Sequence, residues 1–374
     1  MPRFISGITC VIVASITLSL GLWPFHAPRN DVTWPMGEHG LRFGPYGTVM
    51  SSGKFETDVP KAAASCSVET WARAAHRSDS GTILSFYEGQ KRLGMPLHQS
   101  GADVRLDPGQ TGDLAIKVPA SLYASEVFER QQPVFITATQ GNVRMSLYVN
   151  GTLSGSVPLV RPAGTACTGR LVLGDGALQQ DTWSGDIMGL AVYESELSPE
   201  RVQTHYLGWI KNHEPDVQPG DRNVAIYRFR EGSGNEVHNE LAGGFSLRIP
   251  EYYTVEDQLL FEPIWQEFDS SWGFWRNCLK NVIGFVPLGF CFYAYVGGVL
   301  RARSAGLITV LSGAAVSVTI EAVQAFLPTR QSGTTDIITN TLGTYTGVLL
   351  GAAMGPYLAG VFRSRFIKAE SSPP

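Results

Sequence analysis

At 374 residues, with 44% hydrophobic and 17% charged side chains, the chain is long enough for two or three domains with cores of their own. Its 33 acidic and 29 basic residues give a formal net charge of −4, and the middle of the chain holds no basic cluster, so nucleic-acid binding has no support. The charge is unevenly spread, with long uncharged runs near both ends, a pattern expected of a membrane protein with a large polar insert.

The first element is the uncharged run from Phe4 to Trp23, preceded by Arg3. At 1.5 Å per residue it reaches about 30 Å, the thickness of bilayer hydrocarbon. Residues 1–23 are therefore expected to form an N-terminal transmembrane anchor. A cleaved signal peptide is the competing reading, but the core is long and ends in "LWPFHAP" without an A-x-A site.

The next 230 or so residues read as all β. "TILSFYEG", "PVFITATQ", "VRMSLYVNGTLSGSV", "GRLVLGD" and "GDIMGLAVYE" are short runs of β-branched and aromatic residues punctuated by Gly, Pro, Asn and Asp. Asn150-Gly151 supplies the positive φ angles of a two-residue hairpin turn. In "GDIMGLAVY", strict alternation places Ile187, Gly189, Ala191 and Tyr193 on one face and Met188, Leu190 and Val192 on the other, so both faces are expected to be covered. "LSPERVQTHYLGW" then opens a helix, with Ser198 as cap and Pro199 in its first turn.

In this order "CSVETWARA" (66–74), "LYVNG" (147–151) and "WSGDIMGLAVYESELSPERV" (183–202) resemble the laminin G-like, concanavalin A-like jelly roll. The resemblance covers residues 36–255 and implies a β-sandwich that binds glycans or protein surfaces, in some family members through calcium. Residues 224–250 look like a strand pair that usually begins such a domain, and serve either as closing strands or as the start of a partial repeat. Asp103, Asp107 and Asp113 offer oxygens for calcium, but their spacing is not that of a recognised loop, and turn chemistry is the better reading. No cofactor is expected.

Of five cysteines, Cys10, Cys278 and Cys291 lie in or beside apolar runs, which leaves Cys66 and Cys167 as the pair available for an extracytoplasmic disulfide. The spacings match no metal site.

Three more uncharged runs follow: Asn281–Leu300, Ser304–Ile320 and Ile337–Phe362. They predict a three-helix membrane module over residues 276–362 and four transmembrane helices in all. The overall expectation is a multi-domain chain, an α-helical membrane module plus an all-β jelly-roll sandwich. Arg3, then Arg301 and Arg303, then Arg363, Arg365 and Lys368 fall on one side if both termini are cytoplasmic. Residues 24–275 are then extracytoplasmic, at a bacterial-type plasma membrane.

Charged and polar residues interrupt the last two runs, where a carboxylate at membrane depth costs several kcal/mol, of order 3. Glu321 with Gln324, and Asp336 with Asn340, share helix faces at three- and four-residue spacing. Under the expected topology Glu321 lies about 10 Å before Pro328 and Asn340 about 6 Å beyond Asp336, at similar depth in the outer leaflet. Arg330 is expected to neutralise a carboxylate, and Lys280 and Asn281 open the second helix at the same side. The bland reading is that this set only pins helices together. Gly343, Gly347 and Gly351, at four-residue spacing, predict close helix packing, and Pro287 a bend.

"KNVIGFVPLGF" (280–290) and "IEAVQAFLPTRQSGTTDIITNTLGTYTG" (320–347) resemble the VanZ-like membrane family, whose ordered polar series falls here on Asn281, Glu321, Gln324, Arg330, Ser332, Asp336, Asn340 and Gly343. A histidine common near the start of the second helix is absent, which weakens any His-based mechanism. The family is named for a link to glycopeptide resistance, so the resemblance implies a role in the cell envelope. The expected function is an envelope protein whose sandwich recognises a glycan or envelope protein and whose polar cluster, Asn281, Glu321, Gln324, Arg330, Ser332, Asp336 and Asn340, engages a lipid or lipid-linked molecule. The alternatives are an enzyme acting on such a molecule, with Glu321 or Asp336 as general base, and a non-catalytic scaffold.

Overall fold

The structure is a computed structural model that describes residues 3–56, 65–88, 91–108, 121–159, 167–175, 181–256, 258–268 and 270–370. It divides into two units: Ala27–Asp257, and a helical unit made of Met1–His26 with Gln258–Pro374.

The strands, in chain order, are β1 (Val32–Thr33), β2 (Leu41–Phe43), β3 (Val49–Ser51), β4 (Cys66–Ala74), β5 (Ser80–Glu88), β6 (Lys91–Ser100), β7 (Asp103–Leu106), β8 (Leu122–Ala124), β9 (Val134–Gln140), β10 (Arg144–Val149), β11 (Thr152–Pro158), β12 (Arg170–Leu173), β13 (Gly185–Tyr193), β14 (Asn223–Tyr227), β15 (Glu236–Val237) and β16 (Leu247–Arg248). The helices are α1 (Arg3–Leu22), α2 (Pro199–Asn212), α3 (Ile264–Glu267), α4 (Trp272–Val296), α5 (Ala302–Gln324) and α6 (Thr334–Glu370).

The first unit is an antiparallel β-sandwich. One sheet runs β1-β2-β13-β4-β9-β10-β11, with β14 also paired to β13, and the other runs β15-β16-β3-β12-β5-β6-β7-β8. The core between them is filled by large residues, among them Phe43, Phe86, Phe128, Trp183 and Tyr227. β14 pairs with β13 in one sheet and β16 with β3 in the other, so residues 224–250 are closing strands and not a repeat. Cys66 at the head of β4 and Cys167 ahead of β12 are disulfide-bonded, their Cα atoms 5.9 Å apart, which ties one sheet to the other.

Local sequence explains several details. Asn150 and Gly151 carry φ angles of 49° and 76° between β10 and β11, as a two-residue hairpin requires. Ser198 caps α2 by accepting from the Arg201 N–H at 3.4 Å, with Pro199 in the first turn. Strict alternation fails in β13, because its pairing with β4 shifts between Ile187 and Gly189. This bulge moves Ile187 into the inter-sheet core with Leu190 and Val192, while Ala191 and Tyr193 face Val202 and Trp209 of α2. Both faces of β13 are covered, but by a different division of residues.

In the helical unit α4 and α5 are long and apolar enough to cross a membrane. Among the described residues these are two candidate spans, where the sequence pattern predicts four. The described apolar part of α1, Gly7–Leu22, reaches only about 24 Å at helical rise. Threonine and other polar residues in the first turns of α6 lower its hydropathy. Glycines set the helix packing, since a Cβ on Gly343 would lie 2.2 Å from the Val282 carbonyl oxygen and one on Gly347 2.3 Å from that of Val286. Backbone can approach backbone this closely only without side chains. On α5 the buried Ala305, Thr309, Gly313 and Ser317 form a second small-residue stripe. A Cβ on Gly313 would meet the Thr344 side chain of α6 at 2.3 Å.

Candidate functional site

The ends of α1 and α5 and the starts of α4 and α6 gather at one end of the helical unit, joined by polar bonds. Gln324 at the end of α5 donates to the Gly21 carbonyl near the end of α1 at 2.6 Å. Arg330 donates through Nε to the Trp23 carbonyl at 3.0 Å, and its Nη2 bonds the same oxygen. Asn281 on α4 donates to Asp336 Oδ1 on α6 at 2.7 Å. Asn340 Nδ2 reaches Ser317 Oγ on α5 at 3.0 Å. Ser332 Oγ accepts from the Phe261 N–H at 3.2 Å. Glu321 Oε2 accepts from the Gly333 N–H at 2.9 Å.

Every residue of the predicted cluster thus takes part, but the roles differ from expectation. Arg330 forms no ion pair with Glu321 or Asp336, because its guanidinium is turned to the Trp23 carbonyl and clamps α1 to the loop after α5. Asn281 does not open its helix: α4 starts at Trp272, so Asn281 lies more than two turns inside. Glu321, Ser332 and Asn340 are buried, and Asp336 is half-buried.

Three further residues complete the site. Gln258 Nε2 donates to the carbonyls of Gln324, Leu327 and Arg330 at 3.2, 2.6 and 2.5 Å, tying together the turns that follow α5, where the first two carbonyls also accept the Leu327 and Arg330 N–H groups. Glu262 pairs with Gly333 in a parallel bridge, its carbonyl accepting from the Thr334 N–H at 2.9 Å. Glu267 Oε2, at the end of α3, accepts from the Thr335 N–H at 2.8 Å and from the Thr335 hydroxyl. Burial, and then the neighbouring Glu267 charge, push the Glu262 carboxyl above its ordinary value. The signal for these acids was present as "FEPIWQEF", two carboxylates among aromatics just before a span, but helix-face reasoning cannot reach residues outside the helices.

In the sandwich, Asp103 Oδ1 accepts from the Glu126 N–H at 2.8 Å, a turn role. Asp107 lies 3.2 Å from His98 Nε2 and 3.1 Å from Arg105. Burial opposes its charge, yet hydrogen bonds from His98 and Ser121 outweigh that and hold it down to about 2. Asp113 lies outside the described residues. Among the described residues no group of three His, Cys, Asp or Glu is arranged to hold a metal ion.

Residues 228–355 match the VanZ/LLP1 family. The chain therefore carries a VanZ-like region. Residues 50–203 match the concanavalin A-like lectin/glucanases superfamily. The VanZ-like match begins inside the closing strands of the sandwich, so the boundary between the two matches falls ahead of the boundary between the two units. No curated protein is similar enough to count as a relative. Solved structures similar to the sandwich include a Bacteroides ovatus protein assigned as carbohydrate binding, at 13% identity and TM-score 0.39, covering 56% of this chain and 57% of that one. The receptor-binding domain of botulinum neurotoxin D is similar at 18% identity and TM-score 0.37, covering 50% and 48%. The chain thus spans roughly half the length of the structures it resembles.

Proposed function

We propose that this chain is an envelope membrane protein with four membrane-crossing helices, α1, α4, α5 and α6, and both termini in the cytoplasm. Its sandwich, exported with the rest of residues 24–275, recognises a glycan or an envelope protein. Its polar cluster engages a lipid or lipid-linked envelope molecule in the outer leaflet. The observation that carries this reading is the gathering of Glu321, Gln324, Arg330, Asp336 and Asn281 at the end of the helical unit remote in sequence position from Arg3, Arg301, Arg303 and Arg363. Trp23, Trp265, Trp272 and Trp275 are exposed beside that same end, where an interfacial aromatic belt belongs. Intramembrane carboxylates that serve only packing are expected to be fully paired, and Glu321 and Asp336 are not.

The test uses Glu321→Gln and Asp336→Asn in the full chain, scored for expression, membrane insertion, thermal stability and the lipid and glycan profile of the envelope. Stable, inserted variants with the profile of a deletion strain support the reading. A wild-type profile in such variants removes it and leaves a packing role.

A further inference from the structure

The outer end of the helical unit offers hydrogen-bond acceptors for which the protein supplies no donor. Glu267, Glu321 and Asp336 lie within electrostatic reach of one another, and Arg330 is the cation whose charge reaches Glu321 and Asp336. Arg330 is committed to the Trp23 carbonyl. The donors that do arrive are neutral: the Gly333 N–H on Glu321 Oε2, Asn281 Nδ2 on Asp336 Oδ1, and Thr335 on Glu267. Glu321 Oε1 and Asp336 Oδ2 accept no hydrogen bond among the described residues.

A separate observation lies one turn deeper. Asn340 is 4% exposed, donates Nδ2 to Ser317, and has an Oδ1 with no partner. Asn340 follows Asp336 by one turn on α6, and Ser317 precedes Glu321 by one turn on α5, so the unpaired oxygen stands in the seam that joins the two carboxylate-bearing turns. A buried amide oxygen without a donor is uncommon and calls for one.

We propose that this cluster seats a primary ammonium group, carried into the outer leaflet on a lipid headgroup. An ammonium brings positive charge to a cluster of three carboxyl groups whose nearby cation is committed elsewhere, and three N–H donors for the acceptors Glu321 Oε1, Asp336 Oδ2 and Asn340 Oδ1. A quaternary ammonium brings the charge without the donors, and the anionic phosphatidylglycerol headgroup brings hydroxyl donors without the positive charge. The inference rests on the lipid engagement proposed above and narrows it to one headgroup chemistry.

The experiment is thermal unfolding of the purified full chain in neutral detergent with short-chain phosphatidylethanolamine, phosphatidylcholine, phosphatidylglycerol or free ethanolamine. A ligand that binds only the folded state raises the midpoint in proportion to its saturation. The expected result is a rise of several degrees with phosphatidylethanolamine, little or none with the other two lipids, and loss of that rise in Asp336→Asn and Asn340→Leu. Equal rises with all three lipids overturn the ammonium and leave lipid engagement standing. A rise with free ethanolamine as large as that with phosphatidylethanolamine upholds the amine site and removes the lipid as its source. No rise with any probe overturns the inference, whereas the broader reading is then decided by the envelope profile. Should the variants fail to fold, discrimination among headgroups by the unaltered chain decides the matter.

Discussion

Two buried glutamates are surrounded in opposite ways, one by a cation and aromatic donors of the fold and the other by a single backbone N–H. Glu69, fully buried under α2, accepts from the Tyr193 hydroxyl at 2.7 Å and lies 2.8 Å from His205 Nδ1, while His205 Nε2 and Arg201 both reach Asp221. Acids and bases alternate through that network. Burial disfavours the His205 imidazolium, but the bonds and charges of Glu69 and Asp221 outweigh it and raise His205 above its ordinary 6.5. Burial also opposes the Asp221 charge, which Arg201 and its other partners hold down to about 2. A raised histidine stabilises fully below its unfolded value, and that contribution fades as pH rises through the folded value. A depressed aspartate stabilises above its unfolded 3.8, and that contribution fades as pH falls toward 2. The sandwich is therefore expected to be most stable between about pH 4 and 6.5, as a pH series of thermal midpoints on residues 27–257 measures. His205→Ala, which takes the imidazole from buried Glu69 while Arg201 still holds Asp221, should cost about 3–5 kcal/mol and flatten the alkaline limb of that profile. Glu321 has no such cation, so the other residue-scale prediction concerns Arg330. Arg330→Ala leaves the Trp23 carbonyl without its donor and should destabilise the full chain by about 1–3 kcal/mol. Because Arg330 is not paired with Glu321, adding Glu321→Gln should not restore the thermal midpoint; recovery in the double variant would show that the two side chains form an ion pair after all.

At the scale of elements, the α4–α6 contact is fixed by glycine. A Cβ on Gly347 would meet the Val286 carbonyl oxygen at 2.3 Å and the Phe290 nitrogen at 2.6 Å, and backbone cannot rotate away as a side chain can. Gly347→Val should force the helices apart, cost about 1–3 kcal/mol or more, and appear as a lost folded fraction in detergent. Gly284→Ala is the control: nothing lies within 4 Å of a Cβ there, so alanine should be neutral or stabilise by about 0.5–1 kcal/mol. These glycines were legible because their spacing alone dictates close approach, as were the Asn150-Gly151 turn and the Ser198 cap, where one or two residues determine the geometry. The β13 bulge was not legible. It inserts one residue into a strand whose apolar pattern reads equally well in either register, and only the α2 contact distinguishes Ala191 from Ile187. Nor was α3, four residues long, too short to carry a helical period.

For the whole chain, the residue types of the polar cluster were legible but their partners were not. Spacing placed Glu321, Asp336 and Asn340 on two helix faces, whereas the partners of Arg330 and Gln324 are carbonyls more than 300 positions away, which no local pattern can indicate. Topology is the property that this long-range arrangement tests most directly. If α1, α4, α5 and α6 all cross the membrane, the bonded ends that carry Gly21, Trp23, Gln324 and Asp336 lie on one side, and Arg3, Arg301, Arg303 and the tail of α6 on the other. Lys and Arg in short flanking segments resist translocation, so that second side is cytoplasmic. A reporter active only outside the cytoplasm should then be active when fused after Gly220 and silent when fused after Arg303 or at the C-terminus. Activity at the C-terminus with activity after Gly220 would mean an even number of crossings between them, and the threonine-rich α6 would be the helix to remove from the count. Silence after Gly220 with activity at the other two positions would invert the molecule, put the acidic cluster in the cytoplasmic leaflet, and exclude any extracytoplasmic ligand for it.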